Sequence, residues 1–266
     1  MTRPPLPRPR PLSLPLPVCG PEGPLRATPS AQDPAPVRAV LFDFGGTLFQ
    51  MGTYADRIRA VLRRPVGERE MDRLLDGLEA GLTDPEVVEA QRGRDVSSRA
   101  HRYAFTTWYA SVPELTPHAD ALYTQLRAPE HWVPYADTGS TLARPAAGGI
   151  ALGVVSDVGW DLRATFAHHG LDQYVSSWVH SYVHETEKPD PVLFGHACRE
   201  LGVAPAETLM VGDHPAKDGG AAGAGLRAYV LPAGAAPGAR RGLDAVLRLA
   251  GVAGTTSGGV GETGGR

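Results

Sequence analysis

The run from Val37 to Phe49, VRAVLFDFGGTLF, constrains this chain more than any other stretch. An apolar segment of strand length breaks at Asp43 and passes at once into Gly45, Gly46 and Thr47. That pattern predicts a buried strand delivering a carboxylate into a tight loop. In an open α/β sheet, ligands bind beyond the carboxyl ends of the strands. Asp43 is therefore the first candidate for chemistry, and Gly45 and Gly46 let the backbone come close to a ligand.

Beyond Phe49 the pattern turns helical. Amphipathic windows ADRIRAVLRR, EREMDRLLDGLEAGL, SSRAHRYAFTTWYASV and PHADALYTQLRA follow one another between Tyr54 and about Arg127, with apolar residues such as Leu74, Leu75, Leu78 and Leu82 spaced for one buried face. Thr83-Asp84-Pro85 and Pro113 to Pro117 read as breaks between them. From about Thr138 the chain alternates helices with the strand-like runs IALGVVSD, SSWVHSYV, TLMVGD and RAYVLP. Such alternation predicts a parallel, doubly wound Rossmann-like sheet with helices on both faces. The expected organisation is a core of residues 37–50 and 135–250, with an all-helical insert at 51–134.

The two ends differ from this body. Residues 1–36 are rich in proline and poor in apolar side chains, a composition expected to stay disordered. Pro15 and Pro17 interrupt the short apolar run SLPLPV, so no helical leader is expected there. Residues 251–266, rich in Gly, Ser and Thr, are expected to form a flexible tail. The formal net charge is −3 over 266 residues, which gives no footprint for nucleic acid. No segment approaches the roughly 20 apolar residues that span a bilayer. Two cysteines, Cys19 and Cys198, are too few for a disulfide framework, so a cytoplasmic setting is expected.

Polar residues then stand at or just after strand ends: Asp43, Ser156, Lys188, Asp213 and Asp218. A parallel sheet brings such positions to one edge. In DFGGTL at Asp43 to Leu48, VVSD at Val154 to Asp157, EKPDP at Glu187 to Pro191 and GDHPAKD at Gly212 to Asp218, the chain resembles the haloacid dehalogenase superfamily. The resemblance extends over about Val37 to Leu249 and is to the branch with a helical cap inserted after the first strand. It implies a phosphohydrolase in which Asp43 attacks phosphorus to form an aspartyl-phosphate. It also implies Mg²⁺ held by Asp43, the Gly45 carbonyl and Asp213, with Asp218 a further ligand or a support to one. Thr47 and Ser156 would bind phosphate oxygens, and Lys188 would neutralise charge on the phosphoryl group and on Asp43. The implied substrate is a small phosphorylated metabolite, chosen by the cap.

One departure stands out. Phosphatases of this superfamily usually carry an acid two positions after the nucleophile, and here that position is Gly45. Loss of general acid–base help typically costs about 10²–10⁴ in rate. His214, or His101 or Tyr103 from the insert, are the candidate replacements. Only Lys188 and Lys217 are lysines, so the insert offers no amine for Schiff-base chemistry, and retention of Asp213 and Asp218 favours metal-assisted phosphoryl chemistry over dehalogenation. The alternative is a weak or inactive relative that binds a phosphorylated ligand or a protein. Arg92, Arg94, Arg99 and Arg102 form a basic cluster that either faces an anionic substrate or lies on a solvated helix face. Tyr103, Phe105, Trp108 and Tyr109 are expected in the packing of the insert rather than as a base-stacking platform.

Overall fold

A computed structural model describes residues 35–232 and 234–252. Expectations for the two tails therefore fall almost wholly outside the described residues. Strand β1, Ala39–Phe42, is buried at every position, as a strand flanked on both sides and covered on both faces must be. It is followed by β2 (Phe49–Met51), the helices α1 (Tyr54–Leu62), α2 (Glu68–Gly81), α3 (Pro85–Ala90), α4 (Ser98–Ala110) and α5 (Ala119–Arg127), and then β3 (Trp132–Pro134). The alternating part comprises α6 (Thr138–Ala147), β4 (Ala151–Ser156), α7 (Arg163–His168), β5 (Ser177–His180), α8 (Ser181–His184), α9 (Pro191–Leu201), β6 (Thr208–Gly212), β7 (Arg227–Val230) and α10 (Asp244–Leu249).

Five strands form one parallel sheet in the order β5-β4-β1-β6-β7. β1 is central, with Phe42 opposite Val154 on one side and Val211 on the other. Alternate side chains of β1 serve opposite faces. Val40 and Phe42 join a core with Leu142 and Val246, from α6 and α10. Leu41 joins a second core with Val179, Phe194 and Met210, where α9 packs. The Rossmann-like α/β reading is thus what the chain adopts.

The helical insert leaves and returns through a short antiparallel stem, in which Met51 pairs with Trp132 and Phe49 with Pro134. Three-residue strands carry too little alternation to be legible beforehand. Thr83-Asp84-Pro85 separates α2 from α3, as expected, and also starts the second of them: the Asp84 carboxylate accepts from the N–H groups of Glu86 and Val87, and Pro85 occupies the first turn. One reading needs correction. The run SSWVHSYV ends as a strand at His180 and continues as the helical turn α8. The Gly/Ala-rich segment Gly219–Ala224 forms a 3₁₀ helix, in keeping with the poor α-helix propensity of glycine. No helix among the described residues is long and apolar enough to cross a membrane.

Candidate active site

Because the strands are parallel, their carboxyl ends share an edge, and three polar side chains gather there. Asp43 directly follows β1, Ser156 ends β4 and Asp213 directly follows β6. The Asp43 N–H still donates to Val211 O at 2.9 Å, so the strand ladder itself fixes where its side chain begins. Asp43 Oδ1 accepts from Ser156 Oγ at 3.1 Å and from Lys188 Nζ at 2.7 Å. The same ammonium donates to Asp218 Oδ1 at 2.6 Å. Lys188, itself buried, therefore bridges two carboxylates.

Asp213 completes the group. One carboxylate oxygen from each of Asp43, Asp213 and Asp218 lies within 4.8 Å of the others. The loop is shaped around them: a Cβ at Gly46, where φ is +74°, would stand 2.2 Å from Asp213 Oδ2. Only glycine meets both the left-handed backbone and that close approach. Three anionic oxygens in so small a space repel one another. Burial pushes the Asp43 carboxyl up to about 6, with Lys188 pulling it down and Asp218 adding repulsion. Asp213 is raised by burial and by Asp218. Lys188 stays protonated: burial disfavours its charge, but Asp43, Asp218 and Asp157 together raise its pKa.

Asp157 ties a second layer to this one. It accepts from the Lys188 N–H at 2.9 Å and from Lys217 Nζ at 2.7 Å. The chain's two lysines thus both lie at the same cavity, an opening of about 730 Å³ between the sheet edge and the insert. Gly45 also lines it. A Cβ there would rest 3.7 Å from the Trp132 ring, so that an indole lies over the position where an acid is expected.

Other expected residues are placed differently. Thr47 is fully buried, lies outside the cavity wall, and its Oγ1 has no partner among the described residues, so its hydroxyl is not brought to the carboxylates. Tyr103, expected in the packing of the insert, is instead 56% exposed and does not line the cavity, because it falls on the outer face of α4. His101 and His214 do. The His101 ring lies 3.1 Å from the Tyr123 hydroxyl through Nδ1, and burial with Arg94 and Arg127 pushes it down to about 3. His214 Nδ1 accepts from the N–H groups of Ala216 and Lys217, which leaves the proton of a neutral ring on Nε2. Of the basic cluster only Arg94 reaches the cavity. Arg92 and Arg102 pair with Glu89 and Asp120 on the exposed surface. Phe105 and Trp108 line the cavity as well as packing the insert.

Arg241 escaped the motif reading altogether. Its Nε donates to the Gly46 carbonyl at 2.6 Å. The Asp137 carboxylate receives the N–H groups of Arg241, Gly242 and Leu243 at 2.8, 2.9 and 2.9 Å and so holds that strand of chain against the loop after Asp43. No motif marks it, since the contact joins residues far apart in sequence.

The comparisons with known proteins agree with this architecture. The family profile of the haloacid dehalogenase-like hydrolases matches residues 37–225. Phosphoserine phosphatase of Thermus thermophilus is 31% identical over 217 residues, 77% of this chain and 86% of that protein. Haloacid dehalogenase-like hydrolase domain-containing protein 3 of Danio rerio is 35% identical over 42% of this chain and 47% of its own length, so the chain spans about half of that relative. Among solved structures, a HAD phosphatase from Thermococcus onnurineus superposes with a TM-score of 0.55 at 23% identity, over 81% of this chain and 99% of that one, a likeness of fold. By its match to that family profile, the chain belongs to the haloacid dehalogenase-like hydrolases.

Proposed function

We propose that this hydrolase is a Mg²⁺-dependent phosphatase of a small phosphorylated metabolite, working through an aspartyl-phosphate on Asp43. The observation that carries the reading is the convergence of Asp43, Asp213 and Asp218 within 4.8 Å, with Lys188 between two of them. Hard carboxylate oxygens suit Mg²⁺, and the close cradle of Gly46 around Asp213 leaves the donors crowded and ready for a cation. Asp43, Asp213 and Asp218, with the Gly45 carbonyl, would hold the ion, which when bound offsets charge on the phosphoryl oxygens.

The chain's own groups would do the rest. An Asp43 oxygen attacks phosphorus, the bond to the ester oxygen breaks, and water later splits the acyl phosphate to regenerate the carboxylate. Lys188 and Ser156 would hold Asp43 in line and meet the phosphoryl oxygens. With glycine at position 45 the leaving oxygen has no carboxylic acid beside it, and His214, which lines the cavity and whose Nε2 is free of protein partners among the described residues, would be the proton donor in its place. The phosphatase names carried by relatives at modest identity support the same class. Cys198 as a buried free thiol is in keeping with a reducing, cytoplasmic setting.

A second reading, a phosphoryl-ligand binder with little turnover, is favoured by the Trp132 ring lying over Gly45. Turnover of 4-nitrophenyl phosphate with and without Mg²⁺ separates the two, comparing wild type, Asp43→Asn and Gly45→Asp. Metal-dependent turnover lost in Asp43→Asn supports the phosphatase. Wild-type and Gly45→Asp rates no better than Asp43→Asn leave the binder.

A further inference from the structure

The cavity has two chemically distinct ends. At the sheet edge stand the carboxylates and lysines. The rest of its wall, supplied mainly by the insert, is carbon: Leu75 and Leu78 from α2, Phe105 and Trp108 from α4, Leu126 from α5, and Trp160 after β4.

The polar edges of these walls are largely spent elsewhere. Trp108 Nε1 donates to Leu78 O at 2.8 Å, and Trp132 Nε1 donates to Leu126 O at 2.9 Å. Arg94 donates to Gln91 Oε1 at 2.6 Å and lies beside Asp95 and the Phe105 ring. His101 faces Tyr123 and Asp95. Two groups are exceptions, Trp160 Nε1, which has no partner among the described residues, and the exposed Glu79. The rest of the insert wall presents ring faces and aliphatic carbon to an occupant. A polar occupant such as an amino acid would lose its water here with few groups to replace it. Some 730 Å³ also falls within the range of about 300–1,000 Å³ that holds a sizeable organic ligand.

We propose that the substrate is a phosphomonoester of an apolar alcohol or phenol, a medium-chain alkyl or aromatic group, whose phosphate meets Asp43 while its carbon body fills the chamber under α2 and α4. This rests on the phosphatase reading above and narrows its substrate.

The test is a series of n-alkyl phosphates from methyl to octyl, with phosphoserine and glycerol 2-phosphate as polar comparators. Leaving-group reactivity is nearly constant along the alkyl series, so chain length reports the chamber alone. The expected result is a rise in kcat/KM of about two- to fourfold per methylene, as burial of apolar carbon gives, and a smaller slope in Phe105→Ala. Leu75→Gln serves the same purpose on a half-exposed position should Phe105→Ala fold poorly. In parallel, calorimetric affinity for n-alkylphosphonates, which are not hydrolysed, is expected to rise with chain length.

Rates that are flat along the series, or that favour phosphoserine, overturn the inference while leaving the phosphatase intact. No turnover of any ester, with phosphonate affinity still rising with length, removes the phosphatase and leaves an apolar phosphoryl-ligand site. Affinity independent of length together with no turnover removes both.

Discussion

The Asp95 N–H donates to Glu187 Oε1 at 3.0 Å, and the Asp95 carbonyl accepts from Ser181 Oγ at 2.7 Å. One residue of the insert is thus clasped through both of its backbone groups by the core. Glu187 also lies 3.9 Å from Lys217 Nζ, which joins the clasp to the cavity. Glu187→Ala leaves the Asp95 N–H without its acceptor, a loss of about 1 kcal/mol. Amide hydrogen exchange at Asp95 is expected to quicken about fivefold, with a raised KM and a smaller effect on kcat.

Divalent metal should be legible as stability. A ligand that binds only the folded chain at a hundred times its Kd adds about 2.7 kcal/mol, or roughly 5–10 °C in Tm for a domain of this size. Thermal unfolding with saturating MgCl₂ is expected to show such a rise in wild type. Asp213→Asn should abolish most of it.

Arg241 should matter through geometry. Arg241→Ala removes the donor to the Gly46 carbonyl, so the turn after Asp43 loses its outer support. A fall in kcat of about tenfold is expected with little change in KM, by analogy with the cost of one lost charged hydrogen bond, about 1.5–3 kcal/mol. Arg241→Lys, which retains a donor, should recover part of it.

Acid should weaken the fold through one buried histidine. Burial, opposed by Asp161, pushes His180 down to about 4, and its Nε2 has no partner among the described residues. The unfolded chain binds the proton at an ordinary pKa of about 6.5. Stability is therefore fully present above about pH 6.5 and is lost as pH falls toward 4, by about 2–3 kcal/mol for this group. His180→Phe, which keeps a ring between Trp178 and Tyr182, should flatten the pH dependence of denaturant midpoints over that window.

Arg57 is 1% exposed, and its Nε and one terminal nitrogen have no partners among the described residues. A single long contact to the Tyr109 hydroxyl at 3.4 Å and the Tyr54 ring at 4.0 Å are what it has. Charge buried on such terms is often replaced by apolar volume with a gain. Arg57→Met is expected to raise Tm by about 2–4 °C, measured by calorimetry.

What was legible beforehand was what parallel topology decides. Asp43, Ser156 and Asp213 each follow from a strand end, and a strand end is a local signal. Lys188 and Asp218 lie in loops, yet short loops at one sheet edge had few other places to go. Trp132 over Gly45 was not legible, because it enters from the far end of the insert through a strand of three residues. Arg241 was not legible because its position is decided by the Asp137 carboxylate, more than a hundred residues away. Thr47 shared a motif with Asp43 but faces the core, since the turn at Gly46 reverses the chain between them.

The stem in which Met51 pairs with Trp132 puts the entry and exit of the whole insert side by side. To the sheet, five helices amount to one long loop whose ends never move apart. A segment built this way is a cassette: it can be exchanged for another of any length, provided the two new ends meet in the same short antiparallel pair. Substrate range could then change by recombination at two neighbouring crossover points, with the carboxylates and lysines below inherited untouched.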